Sequence, residues 1–101
     1  MIQAIIKYYR FHTLKQKHIH LNLCQTTMDN DLLKELVDEI QKYDLEIESL
    51  NLSKNLIDNK GCEYIADMLR KNVKIRKLDL SMSMYITKDG FDHIIAAIGN
   101  K

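Results

Sequence analysis

Proline and tryptophan are absent from this 101-residue chain, which holds only three glycines and two cysteines. Without proline there is no Pro-rich docking segment and no marked linker. Three scattered glycines build no phosphate-cradling loop. Two cysteines do not make a disulfide framework, so a reducing, intracellular compartment is expected, the cytoplasm foremost. No apolar run approaches the ~20 residues needed to span a bilayer. The opening "MIQAII" is too short for a secretory signal and lacks the preceding charge. The length suits one domain, and 46 % hydrophobic residues supply a core for it.

Acidic residues are missing from Met1 to Met28, where Lys7, Arg10, Lys15, Lys17 and three histidines stand alone. All fourteen acids follow, against eleven Lys and Arg, so the remainder carries −3 while the whole chain is +1. A net charge this small gives no global argument for nucleic acid or an acidic substrate. The local asymmetry leaves one opening of that kind, an anionic surface met by the basic N-terminal segment.

What the chain does have is self-similarity. "HIHLNLCQTTMDNDLLKELVDEI", "IESLNLSKNLIDNKGCEYIADML" and "IRKLDLSMSMYITKDGFDHIIAAI" align with periods of 29 and 28 residues, the third needing one inserted residue near "SMSMY". Seven apolar columns coincide: Leu21/Leu50/Leu78, Leu23/Leu52/Leu80, Met28/Ile57/Ile86, Leu33/Cys62/Phe91, Leu36/Ile65/Ile94, Val37/Ala66/Ile95 and Ile40/Leu69/Ile98. Each unit begins with apolar–polar alternation, the period of a strand with one buried face. It continues with apolar residues three and four apart, one stripe of a helix. "DNDLLKEL" and "TKDGFDHI" place acids and a capping side chain at the positive end of the helix dipole. No such unit buries its apolar face alone; stacked units bury a continuous core.

Residues 47 to 57, "IESLNLSKNLI", fit L-x-x-L-x-L-x-x-N-x-L without a gap. Over residues 18 to 98 the chain resembles the leucine-rich-repeat family, and its 28–29-residue period resembles the ribonuclease-inhibitor-like subclass. The resemblance implies an α/β fold, a short solenoid of about three strand–helix units with a parallel sheet on the concave face and helices on the convex face. It implies that Asn55 ties its turn to neighbouring units. Thr26 and Ser83 stand in that place in the outer units, and His18 stands where the others have an aliphatic residue. The expected division of the single domain is 1–17, an N-terminal helical cap; 18–46, repeat 1; 47–74, repeat 2; and 75–101, repeat 3.

On such a sheet the leucines point inward and the residues between them line the concave surface. Those columns are His20/Ser49/Lys77, Asn22/Asn51/Asp79 and Cys24/Ser53/Ser81. They make a polar, nearly neutral patch that suits a protein partner and not DNA or RNA, which want a cationic surface with stacking aromatics. The "SMSMY" bulge adds Met82, Met84 and Tyr85, flexible thioethers beside a ring. The resemblance implies a non-catalytic protein–protein interaction module of scaffold, adaptor or inhibitor type, with a protein partner and no cofactor. The alternative is a peripheral subunit held on a membrane or nucleic acid by the basic N-terminal segment.

Catalysis is not expected. Along one strand, His20 and Cys24 are ~13 Å apart, too far for a nucleophile and its base. His20 beside Ser49 has no evident orienting acid. His12, His18 and His20 lack the neighbouring Cys or carboxylate of a metal site. Residues 2–12 read as a capping helix with Ile2, Ile5, Ile6 and Tyr9 on one stripe. At the other end, nothing after the third helix is expected to cover Leu78, Leu80, Phe91, Ile94 and Ile98. That predicts a homodimer or docking in a larger complex through this end.

Overall fold

The computed structural model describes residues 19–71 and 75–99, so the expected N-terminal cap lies outside the described residues. Three strand–helix units follow one another: β1 (Ile19–Asn22) and α1 (Asn30–Lys42), β2 (Ile47–Asn51) and α2 (Asn59–Lys71), β3 (Lys77–Asp79) and α3 (Lys88–Gly99). The strands form one parallel sheet in the order β1-β2-β3. The helices pack side by side, α1 on α2 and α2 on α3. No helix among the described residues is long and apolar enough to cross a membrane.

The strands end where their side chains turn the backbone. Asn22 Oδ1 accepts the Cys24 N–H at 3.0 Å, Asn51 Oδ1 accepts the Ser53 N–H at 3.0 Å, and Asp79 Oδ1 accepts the Ser81 N–H at 2.9 Å. These are Asx turns. Each is followed by a non-glycine residue in the left-handed region, Gln25, Lys54 and Met82, at equivalent places in the three units. Helix α1 starts at an Asp29 cap whose carboxylate accepts the Leu32 N–H at 2.9 Å, and α2 ends on Arg70 and Lys71, at the negative end of its dipole.

All seven aligned columns include residues of one buried cluster from all three units or from the first two. The inner columns Leu23/Leu52/Leu80, Met28/Ile57/Ile86 and Leu36/Ile65/Ile94 are buried throughout. Three outer helix columns are not. Leu33 and Cys62, Val37 and Ala66, Ile40 and Leu69 are buried, while their third-unit counterparts Phe91, Ile95 and Ile98 are 42 %, 64 % and 54 % exposed. The next unit covers these positions in the first two units. The expectation of an uncovered end therefore holds for Phe91 and Ile98, and for Leu78 in part. It does not hold for Leu80 and Ile94, which lie within the buried cluster. Ile95 joins the exposed set instead.

Polar side chains bolt one unit to the next. Asn30, the first residue of α1, donates through Nδ2 to Asp58 Oδ1 at 2.6 Å and accepts the Asp58 N–H at 3.2 Å. Asn59, the first residue of α2, repeats the clamp on Thr87, donating to its Oγ1 at 2.7 Å and accepting its N–H at 2.9 Å. Glycine is required beside each clamp. A Cβ on Gly61 would stand 2.5 Å from Asn30 Oδ1 and 2.6 Å from Ile57 Cγ2, and one on Gly90 would collide with Asn59 Oδ1. Asn30 also holds the Asp58 carboxyl below its ordinary range by hydrogen bonding.

Cys62 is fully buried in the core, and burial, with the Asp58 charge adding, pushes its thiol up to about 11. The unfolded thiol ionises near 9.0, so the folded state binds the extra proton and stability falls as pH rises from about 9 to about 11. A thiolate-selective alkylating reagent at neutral pH is expected to modify half-buried Cys24 and to reach Cys62 only on unfolding. Equal labelling rates for the two thiols in the folded protein would contradict this packing.

Candidate protein-binding face

The register of the sheet brings two of the three expected columns together. His20 lies opposite Ser49 and Ser49 opposite Lys77; Asn22 lies opposite Asn51 and Asn51 opposite Asp79. Their side chains emerge between the buried leucines Leu21 and Leu50 and are exposed or half-buried. Parallel neighbours at ~4.8 Å spacing make two polar rows across the sheet. A groove of about 440 Å³ opens on this face between β2 and β3, lined by Ser49, Asn51, Lys77 and Asp79, and by Arg76, which sequence reasoning did not include.

The third column is different. Cys24 is half-buried and Ser81 exposed, but Ser53 is only 4 % exposed and is bound internally. Its hydroxyl donates to Asn51 Oδ1 at 2.7 Å and lies 3.2 Å from Cys24 Sγ. The strand has ended by then, and the turn tucks Ser53 beneath its neighbours, so strict alternation no longer tells which way a side chain faces. Ser53 is thus a supporting residue of the face and not part of its surface.

The second column has a double task. Asn51 and Asp79 use Oδ1 for the Asx turn and also accept from the hydroxyls of Ser53 and Ser81, each at 2.7 Å. The hydrogen bonds from Ser81 hold the Asp79 carboxyl below its ordinary range, so it is charged at neutral pH. The amide nitrogens of Asn22 and Asn51 and the second carboxylate oxygen of Asp79 are the groups these turns leave for a partner.

At the β1 edge, His20 Nδ1 and Ser49 Oγ are 2.7 Å apart, and His20 Nε2 is 3.8 Å from Glu48 Oε2. Glu48 was not foreseen, because alternation sends it to the face opposite Ser49. The register slips by one between Ile19 and His20, so that Ile19 pairs with Ile47 while His20 pairs with Ser49. Ile19 is buried and takes the aliphatic place in the strand that the sequence alignment gives to His18. His18 itself, like His12, lies outside the described residues. The Ser49–His20–Glu48 line sits on an open surface with the imidazole largely in water. Here the contacts orient His20 on the face. No group of three His, Cys, Asp or Glu that could hold a metal occurs among the described residues.

Beside Ser81 the inserted loop runs out from the sheet. Met82, Met84 and Tyr85 are all exposed, Met84 to 86 %. The backbone is nevertheless anchored. The Ser81 carbonyl accepts the Lys54 N–H at 3.0 Å, and Tyr85 bridges to Asp58. Asn55 makes six hydrogen bonds, four to the preceding unit and two within its own turn, whereas the enclosed Ser83 hydroxyl has no hydrogen-bond partner among the described residues. Serine is too short to reach across.

No protein-family model matches the chain, and no curated protein matches it either.

Proposed function

We propose that the chain is a non-catalytic protein-binding module of the leucine-rich-repeat type, with the strands on the concave side of a short solenoid and the 81–85 loop at one margin of the binding face. The observation that carries this reading is the in-register alignment of His20, Ser49, Lys77, Asn22, Asn51 and Asp79 on an exposed sheet face, beside a loop that exposes Met82, Met84 and Tyr85. Polar rows supply directional hydrogen bonds. Adaptable thioethers and an aromatic ring supply apolar contact, the mixture typical of protein interfaces. The charge of the face is mixed, with Lys77 and Arg76 against Asp79 and Glu48, which favours a protein surface over a polyanion.

The test is affinity capture from native lysate with wild type, Ser49→Arg/Met84→Asp, and a helix-side control, Asp67→Lys. A specific protein retained by wild type and control but depleted about tenfold or more by the double variant supports the reading. Identical proteins retained by all three chains would place binding elsewhere and reject it.

A further inference from the structure

From the charge pattern of the β3 edge we infer that the exposed end of the third unit binds a second copy of this chain, the two β3 strands pairing antiparallel about Leu78 so that Lys77 of each copy faces the partner's Asp79. This surface shares Lys77 and Asp79 with the proposed binding face, but the inference does not depend on that reading.

Among the described residues strand β3 pairs only with β2, so its other side is a sheet edge whose backbone groups meet no further strand there. Beside that edge lies a mainly apolar groove of about 500 Å³, lined by Ile75, Leu78 and Leu80 from the strand side and by Phe91, Ile94 and Ile98 from α3, with Arg76 and Ser81 as its polar members. Phe91, Ile95 and Ile98 form one helical stripe and are among the few large apolar side chains exposed in the described residues. A surface of this kind is normally covered.

Two observations select a second copy over a further strand–helix unit stacked as the first three are. The first is the missing clamp. Asn30 and Asn59, each the first residue of its helix, grip the following unit. The first residue of α3 is Lys88, whose ammonium is turned onto Asp92 at 2.8 Å. It has no acceptor with which to take the next unit's N–H.

The second is the charge pattern of the strand, Lys77–Leu78–Asp79. A two-fold axis normal to the sheet keeps both sets of helices on one side and makes the edge strands antiparallel. Keeping the leucines on the core face allows registers that differ by two residues. With Leu78 on the axis, Lys77 faces Asp79 twice. The neighbouring registers put Lys77 opposite Lys77 or Asp79 opposite Asp79, and like charges directly opposite are destabilising. Lysine on an edge strand ordinarily discourages pairing; here an acid two residues away offsets it in one register only. The same axis runs the two α3 helices antiparallel, so that the exposed stripe of each meets the apolar groove of the other.

The experiment is sedimentation equilibrium of the purified 101-residue chain, with circular dichroism confirming that each variant is folded. Wild type is expected to be a dimer whose dissociation constant rises with salt. Lys77→Asp, which puts Asp against Asp twice, is expected to raise that constant about tenfold or more, and its dissociation constant should fall with salt as the repulsion is screened. Mixed with Asp79→Lys, it should form heterodimers, and the double exchange Lys77→Asp/Asp79→Lys should restore self-association. Asp79→Lys also removes the Asx turn. If that chain fails to fold, the opposite salt responses of wild type and Lys77→Asp decide the matter alone. A monomeric wild type at high concentration would overturn the inference, as would a dimer indifferent to Lys77→Asp. Both readouts use pure protein and leave Ser49 and Met84 intact, so they fail or succeed independently of partner capture.

Discussion

Asn55→Ala is expected to remove on the order of 3 kcal/mol or more of folding stability, a large effect for one side chain. Asn55 is almost entirely enclosed. Its Nδ2 donates to the carbonyls of Leu23 at 2.9 Å, Leu52 at 3.0 Å and Ser53 at 3.2 Å. Its Oδ1 accepts the N–H groups of Thr26 at 3.0 Å and Met28 at 2.9 Å, and the Thr26 hydroxyl at 3.4 Å. One amide therefore closes its own turn and the turn of the preceding unit. Alanine strips these backbone groups of their partner where water has little access, and each buried group left unsatisfied costs roughly 1–3 kcal/mol. Asn55→Asp is expected to be no better. A carboxylate still accepts from Thr26 and Met28 but sets an oxygen against the Leu23 carbonyl and buries a charge. Urea unfolding checks both, as a lower midpoint at unchanged slope. A loss well under 1 kcal/mol for the alanine variant would mean that water replaces the amide.

Leu33→Ala and Phe91→Ala form the second test, because the two residues share a column and differ in surroundings. Leu33 is fully buried between the first and second units, and its truncation is expected to cost about 2–5 kcal/mol, the range for a large aliphatic side chain cut back in a packed core. Phe91 occupies the same place in the third unit but is 42 % exposed. Phe91→Ala is expected to cost about 1 kcal/mol or less, as for surface positions. The measurement is a pair of denaturation curves at concentrations low enough that self-association contributes nothing. Equal losses would show that Phe91 is packed as deeply as Leu33 and that the third unit is covered from within the chain.

Much of the candidate site is legible in the sequence. His20/Ser49/Lys77 and Asn22/Asn51/Asp79 were aligned by counting from one leucine pair to the next, and the sheet pairs those residues. Parallel strands of repeated units keep a constant offset, so the period along the chain becomes neighbourhood in space. The count failed at the strand ends. Ser53 is enclosed because a turn, not a strand, carries it. Glu48 reaches towards His20 because the register slips beside Ile19. Neither a turn's tuck nor a slip of register leaves a mark in apolar–polar alternation.

The linear order of residues by itself determined three strand–helix units, their period, which residues face the core within a unit, and the polar composition of the face between the leucines. Those features depend on contacts inside one unit, and the 2.0 and 3.6 periodicities record them directly. Only the tertiary structure decided which apolar positions are covered. Val37, Ala66 and Ile95 are equivalent in sequence, yet two are buried and one lies open. It also decided that Asn30 and Asn59 are clamps, that Gly61 and Gly90 make room for them, and that Lys88 leaves the third unit without one. Burial and clamping at these places depend on the adjoining unit, and a residue's own sequence neighbourhood holds no record of what packs against it from twenty-nine residues away.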